Sequence, residues 1–291
     1  MNESVTGTGR GVPAHRGPGR VTFWGSLCAE LLKLRGLVST WVLMGLLMVG
    51  IPVVAAIVAA VVRFGGVSST SSAVMFWTYF GSALGNMILV AGIFGVMAVT
   101  TEFTTRSIQS SLLAVPRRLT FMGSKLLAVG LYVMAAAFVG VTLGALSTLL
   151  VSGGAGLFDL SFRDLRLPVI VMLGGPAALV LVAIMAAGLW GMCRSTVGGV
   201  LALIGVFSIL PTITAIAAVL LSKYQWMVMV FSCLPDQVFK TFLRGGAADT
   251  LSGSVSSSFT PNWWQSGIIL VLWTVVFSAI GVMVVRRSDV K

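Results

Sequence analysis

The chain alternates between long uncharged runs and short polar interruptions. Six stretches hold no Asp, Glu, Lys or Arg: Gly36–Val62, Phe64–Thr101, Leu126–Phe158, Leu167–Cys193, Ser195–Ser222 and Thr250–Val285. Each exceeds the roughly 20 residues that cross a hydrocarbon core of about 30 Å. Lipid offers backbone groups no hydrogen-bond partner, so such runs are expected to be helices. With their polar ends trimmed, the pattern predicts spans near 38–62, 75–99, 124–151, 168–192, 197–221 and 264–285, within a membrane domain covering 36–291. The expected fold is an all-α integral membrane protein with six transmembrane helices.

Shorter patterns fill the intervals. Residues 1–20 are rich in Gly and Arg and have no apolar core, which fits a disordered cytosolic tail and not a signal peptide. In "VTFWGSLCAELLKLR" (21–35), Trp24, Leu27, Leu31 and Leu34 recur at helical spacing, while Ser26, Glu30 and Lys33 lie elsewhere on the helix. That is an interfacial amphipathic helix; the alternative is an extension of the first span. In the long interval near 222–263, "WMVMVFSCL" is too short to span, and "PDQVFKTFLRGG" has a proline start and a glycine stop. One or two short helices dipping back from the outer surface are expected there, or else an irregular loop. Trp263 and Trp264 suit an aromatic belt at the entry of the last span.

Composition agrees with a membrane protein: 57% of residues are hydrophobic and only 9% charged, against about 25% charged in a soluble domain. The net charge of +11 then points to a membrane surface and not to nucleic acid. Threading six spans leaves thirteen Lys and Arg on the side of the two termini and six on the other. The positive-inside rule therefore puts both termini, and the interval 100–125, in the cytoplasm. The expected location is a plasma membrane of the bacterial inner-membrane type, crossed several times.

The chemistry that is missing narrows function. There is no G-x-x-x-x-G-K-[ST] phosphate loop. Cys28, Cys193 and Cys233 are scattered and His15 is the only histidine, which disfavours a metal centre, a disulfide framework or a histidine-centred catalytic site. The chain is therefore read as a non-enzyme that binds no cofactor. None of the six uncharged runs carries Asp, Glu, Lys, Arg or His, which disfavours proton-driven transport. Asn86, Ser208, Thr212 and Thr214 are weak candidates for lining a substrate path, with ordinary helix packing as the alternative. Pro52, Pro176 and Pro211 can kink their helices, and Gly81/Gly85 and Gly140/Gly144 permit close packing.

The polar interval "TTEFTTRSIQSSLLAVPRR" (100–118) is the most informative. A helix over Glu102–Val115 would be about 21 Å long. It would place Glu102, Arg106 and Gln109 on one polar stripe and Ile108, Leu112 and Val115 on an apolar one. Arg117, Arg118 and Lys125 can anchor the following span near anionic lipid. By pattern alone the stripe is either a simple connector or a docking surface.

The segment "EFTTRSIQSSLLAVPRRLTFMGSK" resembles the signature region of permease subunits of type-2 ATP-binding-cassette exporters. Glu102 stands at the acid that starts that family's short cytosolic coupling helix. Ser107 and Ile108 take its Thr-Ile places, Leu112 or Leu113 its Leu, and Pro116, Arg117 and Lys125 the remainder. Arg106 departs from the pattern, where glycine is common. "AELLKLR" (29–35), "LPDQVFKTF" and "VRRSDV" look like the family's interfacial helix, its outer helix and its ending. The resemblance implies a dimer of two permeases, identical or related, carrying a small-molecule, peptide or lipid substrate. It also implies a separate cytosolic P-loop ATPase that handles ATP and docks on Glu102, Arg106 and Gln109. A secondary transporter, or a membrane sensor, immunity or scaffold protein, is the alternative.

Overall fold

The computed structural model describes residues 22–64, 73–74, 76–78, 80–81, 84–104, 118–152, 165–193, 195–220, 225–245 and 261–287. Every regular element among them is helical. The order is α1 (Phe23–Arg35), α2 (Val38–Phe64), a 3₁₀ turn (Leu84–Met87) leading into α3 (Ile88–Thr104), α4 (Arg118–Ser152), α5 (Arg166–Cys193), α6 (196–220), α7 (Gln225–Ser232), α8 (Pro235–Leu243) and α9 (Trp263–Arg287). Among the described residues, five helices are long and apolar enough to cross a membrane: α2, α4, α5, α6 and α9. The described elements are thus all helical, and the five apolar helices suggest a multi-pass membrane protein. In the interval expected to hold the second span, the described residues include the apolar helical stretch Leu84–Thr100, and those at 73–74, 76–78 and 80–81 are helical as well. The expected tail at 1–20 lies outside the described residues.

Contacts fix the directions of the long helices. Along α2 and α4 the pairs Leu47 with Gly140, Ala55 with Gly144 and Arg63 with Val151 advance together, so these two run parallel. Gly95 meets Ala183, and Gly188 meets Gly281, so α3, α5 and α9 are parallel to one another. Gly92 meets Leu203 while Gly199 meets Val96, so α6 is antiparallel to α3. Gly130 packs on Val180 and Ile184, and Leu126 borders the same cavity as Ala187, so α4 and α5 are antiparallel. One end of the bundle, here the proximal end, therefore collects α1, the start of α4 and the C-terminal ends of α3, α5 and α9.

α5 occupies the middle and packs on α3, α4, α6 and α9. Lipid tails are as apolar as leucine, so helices in a bilayer associate through close van der Waals fit, not through the exclusion of water. Small residues supply that fit. A Cβ on Gly188 would stand 2.5 Å from the carbonyl oxygen of Phe277, and one on Gly191 would stand 2.9 Å from the Cα of Gly281. The backbones of α5 and α9 touch there, and the Thr274 hydroxyl adds a hydrogen bond to the Leu181 carbonyl (3.3 Å).

Two of the long helices widen locally. α5 has a π-helical segment at Ile170–Gly174 and α6 one at Gly205–Ile209. Each ends two residues before a proline, Pro176 and Pro211. Proline has no N–H for the carbonyl four residues back, and its ring crowds that carbonyl. A wider turn just before the ring relieves the crowding: Gly175 N–H reaches Ile170 O, and Leu210 N–H reaches Gly205 O. Pro52, also inside a helix, has its own carbonyl engaged by Ser147 at 3.2 Å.

Candidate functional site

Two polar constellations stand out, one at each end of the bundle. The proximal one joins α1 to α4. Thr22 caps α1 through a hydrogen bond from Gly25 N–H (3.3 Å), and the chain turns into α2 at Gly36. Of the expected apolar seam, Leu27 and Leu34 are buried and Leu31 packs against the core, but Trp24 does not turn inward. The inner face of α1 consists of Ser26, Leu27, Glu30 and Leu34, whereas Trp24 is 72% exposed. The reason lies on α4: Ser124 and Lys125 meet Ser26 and Glu30 as they come inward. The Ser26 and Ser124 hydroxyls are 2.8 Å apart, and Lys125 Nζ lies 3.1 Å from Glu30 Oε2. Tyr132, one to two turns along α4, donates to the Leu31 carbonyl at 3.0 Å. Lys33 holds the other oxygen of Glu30 at 3.0 Å.

Lys125 is therefore not turned towards lipid headgroups, the role expected from sequence; its ammonium and the Glu30 carboxylate are both buried. Burying two such charges requires that each satisfy the other closely, which the geometry meets. Lys125 also borders a small, mainly apolar cavity between α3, α4, α5 and α9, where it is joined by Val99, Trp190, Gly191 and Ser278.

Of the remaining expected docking and anchoring residues, Glu102 falls in the last turn of α3. The backbone runs helically through it, so it does not start a separate helix as anticipated; nothing in "AVTTEFT" breaks the α pattern. Glu102 is one turn beyond Val99 on the same helix, hence at the proximal end. Arg118 is the first residue of α4. Arg106, Gln109 and Arg117 lie outside the described residues.

The distal constellation is the re-entrant pair α7 and α8. Trp273 lies ten residues, about 15 Å, into α9. Its indole N–H donates to the Cys233 carbonyl at 2.9 Å, so the turn between α7 and α8 sits at that depth. Irregular backbone at membrane depth requires protein partners, and Trp273 supplies one. α8 then climbs back with Pro235 at its start and Asp236 in its first turn. Gly245 ends the climb at φ +59°, a conformation that side chains disfavour. Asp236 is buried and receives Lys240 Nζ at 2.8 Å and Gln237 Nε2 at 3.1 Å. α8 packs on the 3₁₀ turn, on both π segments and on α9. Phe242 inserts between Gly174 of α5 and Gly267 of α9, and Leu243 covers Gly81 and Gly175.

The weak substrate-path candidates are not brought together. Asn86 is exposed in the 3₁₀ turn. The Thr212 and Thr214 hydroxyls bond backward to the Ser208 and Leu210 carbonyls of their own helix, at 2.7 and 2.8 Å. Sequence reasoning missed the Glu30–Lys125 pair. Its signal was present: α1 holds a single acid four residues after a serine, and α4 carries an adjacent serine and lysine, Ser124 and Lys125, about two turns from its start. Among the described residues, no cluster of His, Cys, Asp and Glu could hold a metal ion.

No protein-family model and no curated protein matches this chain.

Proposed function

We propose that the protein is the permease subunit of an ATP-driven exporter of amphipathic or hydrophobic compounds, docking a separate P-loop ATPase at its proximal end. The observation that carries the reading is the polar stripe Glu102, Arg106 and Gln109, set between two apolar runs in a chain with so few charges. Glu102 lies in the last turn of α3, which packs on the central α5, so a load applied to this corner has a rigid path into the bundle. The positive-inside count assigns that end to the cytoplasm, where ATP is available. The partner would handle ATP, consistent with a sequence lacking a phosphate loop. Two such permeases would pair around the substrate path.

The test is purification of the tagged protein from its native cells in mild detergent, beside a Glu102→Lys, Arg106→Glu variant. A near-stoichiometric P-loop ATPase is expected with the original chain and absent with the variant. If both insert and fold but neither brings down an ATPase, the interval 102–115 is a connector and the permease reading fails.

A further inference from the structure

We infer that the outward face of α1 is a binding surface for anionic lipid headgroups of the adjoining leaflet. Trp24, Cys28, Leu32 and Arg35 follow one another at near-helical repeats and form one stripe, and all four are exposed. The same helix turns its only acid, Glu30, and its hydroxyl, Ser26, into the protein. What remains outside is an apolar stripe with Lys33 and Arg35 in the last turn. An interfacial helix of ordinary design hides its apolar seam in the protein or the lipid and sends its acid to water. This one gives its acid to Lys125 and its tryptophan to the outside.

Two observations select lipid as the occupant. First, the stripe is continuous with the side of α2 that faces the bilayer, where Val38, Trp41 and Val42 are exposed. The Trp41 indole donates to the Arg35 carbonyl at 2.9 Å, which fixes an aromatic ring at the level where α1 ends. Tryptophan at the end of a span belongs at the headgroup level. Second, the charge is complementary: Arg35 is exposed beside that ring, and a guanidinium matches a phosphodiester in two hydrogen bonds. The anionic contact that the sequence assigns to Lys125 passes to Arg35, because Lys125 is engaged inside. The inference concerns the bilayer alone and does not depend on an ATPase partner.

The test uses the full chain with Cys193→Ser and Cys233→Ser, which leaves Cys28 as the sole thiol. A fluorophore on Cys28 is read in phosphatidylcholine vesicles that carry a trace of nitroxide lipid, with either a phosphatidylcholine or a phosphatidylglycerol headgroup. Both nitroxide lipids are expected to quench more than aqueous iodide does. The phosphatidylglycerol probe is expected to be enriched about five-fold over the other, one cation's worth, and the ratio falls toward one in Arg35→Gln. Arg35 is exposed, so that variant keeps the fold. Quenching by iodide alone would make the face a water-exposed one and overturn the inference. Quenching by neither would mean that a protein covers it, the ATPase or a second copy, and would overturn it equally. Equal quenching by the two nitroxide lipids, unchanged in Arg35→Gln, would remove the selectivity for anionic headgroups.

Discussion

Glu30 and Lys125 are buried against each other, with Lys33 on the second Glu30 oxygen. Breaking a buried ion pair by removing one member costs about 3–5 kcal/mol, whereas replacing both with apolar side chains of similar volume is close to neutral. Glu30→Gln should therefore lower stability by about 3 kcal/mol in detergent thermal unfolding, and Glu30→Leu with Lys125→Met should recover most of it. Equal losses in the single and double variants would mean that the ion pair does not hold α1 to α4. The pair was hidden from periodicity for a physical reason. A hydrophobic-moment argument asks which face avoids water, and it assigns a lone acid to the outside. It cannot see that a cation ninety-five residues later will arrive at the same height. Arg106 and Gln109 illustrate the converse: the sequence puts them on one stripe with Glu102, and only a bound partner would test it.

Elements were legible where composition dictates them. Uncharged runs longer than a bilayer is thick must be helical, and α2, α4, α5, α6 and α9 follow from that alone. The short α8 was legible too, through Pro235 at its start and the glycines after it. Its depth was not, because depth is set by what the backbone of the preceding turn can bond. Trp273 answers that need for Cys233. Trp273→Phe keeps the ring but removes the donor, leaving a carbonyl at about 15 Å depth without its partner. A loss of about 1–3 kcal/mol is expected in thermal unfolding, with faster reaction of Cys233 towards a small thiol reagent. Unchanged Cys233 reactivity would show that the turn is held by packing alone. The π segments were likewise invisible in the sequence as such. Pro176 and Pro211 signal a kink, but whether a helix kinks or widens depends on the neighbours. Here α8 lies against both widened turns.

For the whole molecule, the alternating directions of the long helices place α1 and the C-terminal end of α9 at one end. On the proposed reading, the Lys and Arg count would make that end cytoplasmic. Cys193, exposed at the last residue of α5, and Asn262, exposed just before α9, then lie on opposite sides. In intact cells a membrane-impermeant maleimide should leave Cys193 unlabelled and label an Asn262→Cys variant; inverted vesicles should give the reverse. Labelling of both from one side would break the topology. The glycine crossing of α5 and α9 has a mechanical consequence. Gly174 and Gly267 each stand 14 residues from Gly188 and Gly281, an arm of about 21 Å. The backbones meet at one end of these arms, and the Phe242 ring separates them at the other. That is a fulcrum with a wedge: at an arm of about 21 Å, ten degrees of tilt at the glycines displaces the far end by roughly 3.7 Å. A rotation too small to disturb the packing at the glycines is thus magnified where α8 sits.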